Sequence, residues 1–424
     1  MAGAHAPVLD FERRLLDAMG DIEHWFRQKW HDYTPPFYSS VDLRNAGFKL
    51  APVDTNLFPG GFNNLAESAM PSAVQAAQVA IEHFCPNARK LVLIPERHTR
   101  NTYYLMNVAR LEKILSATGL EVRIGSLSED ITEAVSIPLP DGHMLRMEPL
   151  TRTGNRVGTA GFDPCAVLLN NDMSAGLPDI LRHLDPAQTM LPPAHAGWTV
   201  RRKSIHFACY DRVADEFASL VGVDPWLINP FFDHSDHVDF GTGASNTDLL
   251  DRVQSVLDRI RVKYQEHHIQ QKPFVIVKAD AGTYGMGIMT IRDASELAQL
   301  NRKQRNKMAV IKEGLEVSQV LIQEGVPTFE QYGNGTAEPV VYMIDRYVAG
   351  GFYRVHPGRG IDENLNAPGM HFVPLAFDCS CNLPEPAASP DCAHNRFYAY
   401  GVVGRLASLA AALELEQTDP DPLP

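Results

Sequence analysis

The stretch from Phe274 to Ile291 constrains this chain more than any other. Phe274-Val275-Ile276-Val277-Lys278 is a short apolar run ending in a lysine, Asp280 to Gly287 carries Gly282, Gly285 and Gly287, and Ile288-Met289-Thr290-Ile291 is apolar again. Strand, glycine loop, strand is the pattern of a phosphate cover, because glycine lets backbone N–H groups approach phosphate oxygens closely. Lys278 then places positive charge over the α- and β-phosphates of a nucleotide. The same spacing also serves a plain tight hairpin whose glycines provide only turn geometry. No GxxxxGK[ST] run occurs, which excludes a P-loop.

A chain of 424 residues exceeds what one core usually organises, so two or three connected domains are expected. With 45% hydrophobic and 21% charged residues, it has the composition of an ordinary folded protein. A net charge of -13 argues against nucleic acid and anionic membrane as partners, so an anionic substrate must meet local Arg and Lys. Met1 to Ala6 shows no secretory pattern, no apolar run reaches membrane-spanning length, and six cysteines are too few for a disulfide scaffold. The expected compartment is the cytoplasm. A homo-oligomer is left open.

Leu9 to Trp30 recurs at helical spacing and predicts one amphipathic helix ended by Pro35-Pro36. Tyr38 to Leu43 and Phe48 to Val53 read as a hairpin. From Pro71 helices and strands alternate: helix Ser72 to Phe84, strand Lys90 to Ile94, helix Thr102 to Ala117, strand Leu120 to Gly125. An α/β layer with parallel strands follows from that alternation. A hairpin over Ile137 to Met147, a buried strand Ala166 to Leu169, an amphipathic helix over Leu249 to Tyr264 and an Ala-rich closing helix Asn395 to Glu416 complete the outline.

Val320-Leu321-Ile322-Gln323-Glu324-Gly325-Val326 resembles the strand-to-linker segment that holds adenine in ATP-grasp enzymes, where backbone near Glu324 to Val326 reads the base edge beside Gln323. Lys312 stands where that family commonly carries a second nucleotide lysine. ATP-grasp ligases similarly follow this strand with an arginine and an Asn-Leu segment near the γ-phosphate. Arg354, Asn364 and Asn366 match, and Arg354 is the candidate for stabilising charge on the transferred phosphoryl group.

The acids that usually close such a domain and hold Mg²⁺ are missing after Gly369, yet Val41-Asp42-Leu43, Val53-Asp54-Thr55-Asn56 and Pro59-Gly60 reproduce their order at the other end of the chain. A circular rearrangement, with the N-terminal hairpin completing the ATP-grasp sheet, makes Asp42, Asp54 and Asn56 the metal candidates. Turn chemistry alone also explains Asp54-Thr55-Asn56. The expected division is residues 1–66 as helix and hairpin, 67–240 as an α/β substrate domain and 241–424 as the ATP-grasp domain. For an amino-acid substrate, Arg44, Arg97 and Arg100 are candidates for the carboxylate, and Glu96 and Asp172 for the ammonium. Two rival metal readings are Asp233-His234-Ser235-Asp236-His237-Val238-Asp239, suited to a metal-dependent hydrolase, and Cys379, Cys381, Cys392 and His394.

The longest runs, Ser40 to Arg44, Pro52 to Asn64, Leu168 to Asp172 and Lys278 to Gly287, resemble the proteobacterial ATP-grasp type of glutamate–cysteine ligase, over almost the whole chain. That resemblance implies ATP, Mg²⁺, glutamate and cysteine, with an acyl phosphate between them. A glutathione synthetase-like ligase is the nearest alternative.

Overall fold

The computed structural model describes residues 7–97, 101–240, 247–282, 287–309, 317–375 and 383–420. Three large sheets and the helices between them form a mixed α/β architecture. Gly285, Lys312, Arg100, Cys379 and Cys381 lie outside the described residues.

The first sheet is the α/β layer. Strands Thr189–Leu191, Ala166–Asn170, Lys90–Pro95, Glu121–Ser126 and Met144–Pro149 run parallel in that order, and Val135–Pro138 adds an antiparallel edge. Leu91 to Ile94 is buried on both faces, as a central parallel strand must be. Helices Met70–Phe84 and Thr102–Ala117 cover one face, and the Asn101 side chain caps the second helix by accepting from the Tyr104 N–H.

The second, central sheet is antiparallel in the order His371–Pro374, Tyr347–His356, Gly335–Ile344, Tyr38–Asn45, Leu50–Asn56. The N-terminal hairpin therefore sits beside strands some 300 residues away in sequence: Tyr38 pairs with Ile344 and Asp42 with Val340. The third sheet, the clamp, orders Phe232–Ser235, Val320–Glu324, Val275–Ala279 and Ile288–Ile291, all antiparallel and backed by helix Thr247–Glu266. Strand Phe232–Ser235 pairs with Val320–Glu324, so part of the clamp precedes the sequence-drawn boundary at 240.

One local expectation changes. The N-terminal helix is two, Pro7–Asp17 and Met19–Asp32. The closing helix, Ala393–Thr418, is a buried element, with Val402, Val403, Leu406, Leu409 and Ala411 dry around its girth. A helix apolar all round has to lie inside. Among the described residues no helix is long and apolar enough to cross a membrane.

Candidate active site

Strand register places the hairpin acids. Ser40 pairs with Asn56, Val41 with Thr55 and Asp42 with Asp54. Side chains alternate between faces, so Ser40, Asp42, Asp54 and Asn56 share one face while Val41 and Thr55 turn into the core. Carboxylates directly opposite each other repel, and the structure sets cations around them. Arg354 donates to Asp42 from Nη1 at 2.9 Å and from Nη2 at 3.3 Å, and Lys203 Nζ donates to Asp54 at 2.6 Å.

After Asp42 the register slips, pairing Leu43 with Pro52 and leaving Val53 as a bulge. Pro52 has no N–H to lose there. The Val53 carbonyl accepts from Lys278 Nζ at 2.6 Å, which ties the clamp strand to the hairpin. Burial tends to raise the Asp54 carboxyl, but Lys203 and Lys278 outweigh it and hold Asp54 well below the usual carboxylate range. Lys278 is pushed down to about 8, because burial outweighs its attraction to Asp54. Burial raises Asp42 above its ordinary value, only partly offset by Arg354.

One row further along the sheet, Glu338 pairs with Arg354. Glu338 accepts from Arg354 Nη1 at 2.6 Å and from Arg44 Nε at 2.7 Å. Burial favours its neutral form, yet the two guanidinium groups keep it below the usual carboxylate range. Arg44 donates its other nitrogens to the Ile361 carbonyl at 3.0 Å and the Glu363 carbonyl at 2.7 Å. It holds the loop that carries Asn364 and Asn366, a positioning task rather than the carboxylate contact expected of it.

These groups line a cavity of about 850 Å³ between the central and clamp sheets. At one end Phe274, Ile276, Ile288 and Val326 form an apolar slot. Gln323 faces it, and its buried Nε2 has no hydrogen-bond partner among the described residues. At the other end stand Glu96 and Asp172, where parallel strands of the α/β layer give way to loops, as ligand sites in such sheets commonly do. The Glu96 carboxylate accepts from the Asp172 N–H at 3.3 Å, and Tyr104 Oη donates to the Asn170 carbonyl at 2.7 Å.

A family model for glutamate-cysteine ligase matches residues 12–415. The chain belongs to the glutamate–cysteine ligase family. It is an enzyme of the ligase class, and a crystal structure from Methylobacillus flagellatus KT, of a protein provisionally named gamma-glutamylcysteine synthetase, is similar to it at 59% identity and a TM-score of 0.91, covering 99% of each chain. D-alanyl-alanine synthetase A from Vibrio cholerae O1 biovar eltor str. N16961 gives 11% identity and a TM-score of 0.35, covering 74% of this chain and 79% of its own. A glutathione synthetase-like effector from Globodera pallida gives 9% and 0.38, covering 87% and 80%. Those two scores carry no argument. No curated protein matches.

In this ligase Asp42, Arg44, Asp54, Asn56, Glu96, Asp172, Lys278, Gly282, Gln323, Glu324, Val326, Arg354, Asn364 and Asn366 all reach the cavity lining. Two of these side chains already have partners within the chain. The Glu324 carboxylate is buried, accepting from Lys49 Nζ at 2.7 Å and from Trp226 Nε1 at 3.1 Å, so it pins the hairpin turn to the clamp. The Glu324 and Gly325 N–H groups donate to the Phe231 and Phe274 carbonyls at 2.7 and 2.8 Å, so these two are engaged within the chain. Asn56 Oδ1 accepts from the Phe58 N–H at 2.9 Å, so turn chemistry occupies part of its amide.

Arg97 is exposed and off the cavity, and Gly287 supports the loop from outside the lining, its carbonyl accepting from the Ala279 N–H at 3.2 Å. In the 233–239 segment, Asp233 pairs with Arg252 at 2.9 Å and Ser235 donates to Asp248 at 2.7 Å, so these side chains fasten helix Thr247–Glu266 instead of converging on a metal. Of the second rival cluster, His394 pairs with Glu385 at 3.7 Å. Among the described residues the convergent group with metal-ligand spacing is Asp224, Glu266 and His267, where Lys263 Nζ already sits 2.9 Å from Asp224 and 2.8 Å from Glu266.

Two site residues escaped the motif reading, Lys203 and Glu338. Arg201-Arg202-Lys203 enters the N-terminus of helix Lys203–Val221, the positive end of its dipole, so these cations needed acidic partners elsewhere. Lys203 finds Asp54; Arg201 finds Glu414 at 2.8 Å and also donates to the Thr55 carbonyl at 2.7 Å. Glu338 opens the apolar run Pro339 to Ile344, and an acid in a buried strand implies cations nearby.

Proposed function

We propose that this enzyme joins the γ-carboxylate of glutamate to the amine of cysteine at the expense of ATP, by way of γ-glutamyl phosphate, the first step of glutathione biosynthesis. The observation that carries the reading is convergence. Acids from the N-terminal hairpin, lysines from the clamp and from a helix N-terminus, and Arg354 meet in one cavity beside an apolar slot.

The slot of Phe274, Ile276, Ile288 and Val326 suits a flat base, and Gln323 Nε2, without a partner among the described residues, offers a donor to a ring acceptor. Lys278 and Lys203 carry the charge that polyphosphate requires. The donor set Asp42, Asp54 and Asn56 is all hard oxygen on one strand face, and two directly opposed carboxylates fit a divalent cation. Mg²⁺ held there supplies charge neutralisation to the phosphate oxygens. Asp42 and Asp54 would hold it alongside their partners Arg354 and Lys203.

The γ-carboxylate oxygen of glutamate attacks the γ-phosphorus, and ADP leaves with the bridging oxygen. Arg354, fixed by Asp42 and Glu338, is positioned to stabilise charge on the phosphoryl oxygens as they pass. Glu96 and Asp172 are suited to an ammonium group at the far end. The cysteine nitrogen then attacks the acyl carbon, inorganic phosphate leaves, and the amine loses its proton as the amide forms. Preorganised geometry does most of this work.

A coupled assay for ADP with glutamate, cysteine and Mg²⁺ tests the proposal. ADP release should require both amino acids. Release with γ-glutamylcysteine and glycine, and none with glutamate and cysteine, would replace it with the glutathione synthetase-like reading.

A further inference from the structure

We infer that an aromatic wall made by Tyr342, Phe352 and Phe372 receives the side chain of the amine substrate, and that Phe372 sets the preference for a small, soft one. The inference rests on cysteine being that substrate. Register places the wall against the reacting centre: Arg354 pairs with Glu338 on one side and Phe372 on the other, and Phe352 pairs with Val340, the cross-strand partner of Asp42. All three aromatic residues line the cavity. Adjacent strands lie about 4.8 Å apart, so the backbone that carries Phe372 runs one strand from that of Arg354, and Phe352 stands two residues from Arg354 on the same strand face.

The wall is fixed rather than adaptable. Ring centroids are 5.3 Å apart for Tyr342 and Phe352 and 4.9 Å for Phe352 and Phe372. The Tyr342 hydroxyl donates to the Gly60 carbonyl. Gly61 has φ +103, and a Cβ there would stand 2.8 Å from the Tyr342 oxygen, so the glycine turn is shaped around the ring. Asn107 Oδ1 holds the turn by accepting from the Gly61 and Phe62 N–H groups, each at 2.9 Å.

A thiol sulfur gains from ring contacts, whereas a hydroxyl set against the Phe352 and Phe372 rings meets no acceptor on either of them. A second glutamate side chain would bring an unpaired carboxylate against the same rings. The wall therefore keeps the two amino acids from exchanging places.

Phe372 lies on the outer strand of the sheet and is half-buried, so it can be changed with least disturbance to the core. Steady-state kinetics of Phe372→Ser and Phe372→Leu separate the substrates. The serine variant should raise KM for cysteine about tenfold and the leucine variant at most about threefold, with KM for glutamate and ATP within about twofold of the parent. A rise that falls on glutamate, or none in either variant, overturns the wall. Should the serine variant fail to fold, the parent enzyme decides: kcat/KM for serine should fall at least about tenfold below that for cysteine, and equal values overturn it. Absence of ADP release from the parent with glutamate and cysteine would identify the reaction itself as the error, and the wall falls with it.

Discussion

The two walls of the cavity deliver charge in different ways. The hairpin wall carries Asp42 on an inner strand of the antiparallel central sheet and Asp54 on its edge strand, where register opposes them. The clamp wall carries Lys278 near the end of a strand that runs into a glycine loop, with its ammonium gripped by a bulge on the opposite wall. Lys278 is itself paired on both sides, with Leu321 and Ile288, so what differs is the reach: the acids face each other within one sheet, whereas the lysine extends to the other wall. The sequence motif advertised the second wall, and register built the first.

The comparison can be broken most strongly at Arg354, which joins Asp42 to Glu338 across the central sheet. Arg354→Ala should lower kcat about a thousandfold in the coupled ADP assay, the order expected when a charge-stabilising arginine is lost from phosphoryl transfer. A loss confined to KM would move Arg354 from the reacting phosphoryl group to ground-state binding.

Next in size is the anchor behind the hairpin wall. Glu414 accepts from Arg201 Nε at 2.8 Å and from His206 Nδ1 at 2.9 Å, all buried. Burial opposes ionisation of Glu414, but Arg201 and His206 hold it down to about 2. Glu414→Gln should destabilise the fold by about 3–5 kcal/mol, since it leaves a buried guanidinium uncompensated. Because the folded carboxyl is depressed below its ordinary 4.5, its stabilisation is full above about 5 and lost as pH falls toward 2. Thermal melts at pH 7 and pH 4 check both: the gap between parent and variant should narrow in acid.

The clamp wall predicts a smaller effect, on affinity. Lys278→Ala should weaken ATP binding about ten- to a hundredfold in equilibrium titration, from the loss of a buried charge-assisted contact. In the parent, Lys278 at about 8 loses its proton as pH rises, so ATP affinity should fall above pH 8. Lys278→Arg should flatten that dependence, as a guanidinium keeps its charge there. Least of all should Arg97→Ala matter: exposed and off the cavity, it should leave kcat/KM within about twofold.

Much of the fold was legible because its signals are local. Helix Thr102–Ala117 and strand Lys90–Pro95 follow from apolar periodicity, and the strands on either side of the glycine loop from a short apolar run and its punctuation. The hairpin's place in the central sheet was legible for another reason: the order of Asp42, Asp54, Asn56 and Gly60 carries a pattern that its position in the chain does not. What local signals could not show is where long side chains end. Glu324 looked like part of a base-reading segment and is instead the partner of Lys49; Arg44 looked like a substrate contact and spends its donors on Glu338 and a loop. Lys203 reaches Asp54 across 149 positions, a pairing that no window of sequence contains.

The central claim is that the N-terminal hairpin completes the active site, and Asp54→Ala tests it most directly. With ADP release followed in glutamate, cysteine and Mg²⁺, turnover should fall at least about a hundredfold, while circular dichroism shows the sheet intact, because the change removes a charge centre from a face already paired through its backbone. Full activity in Asp54→Ala would contradict it.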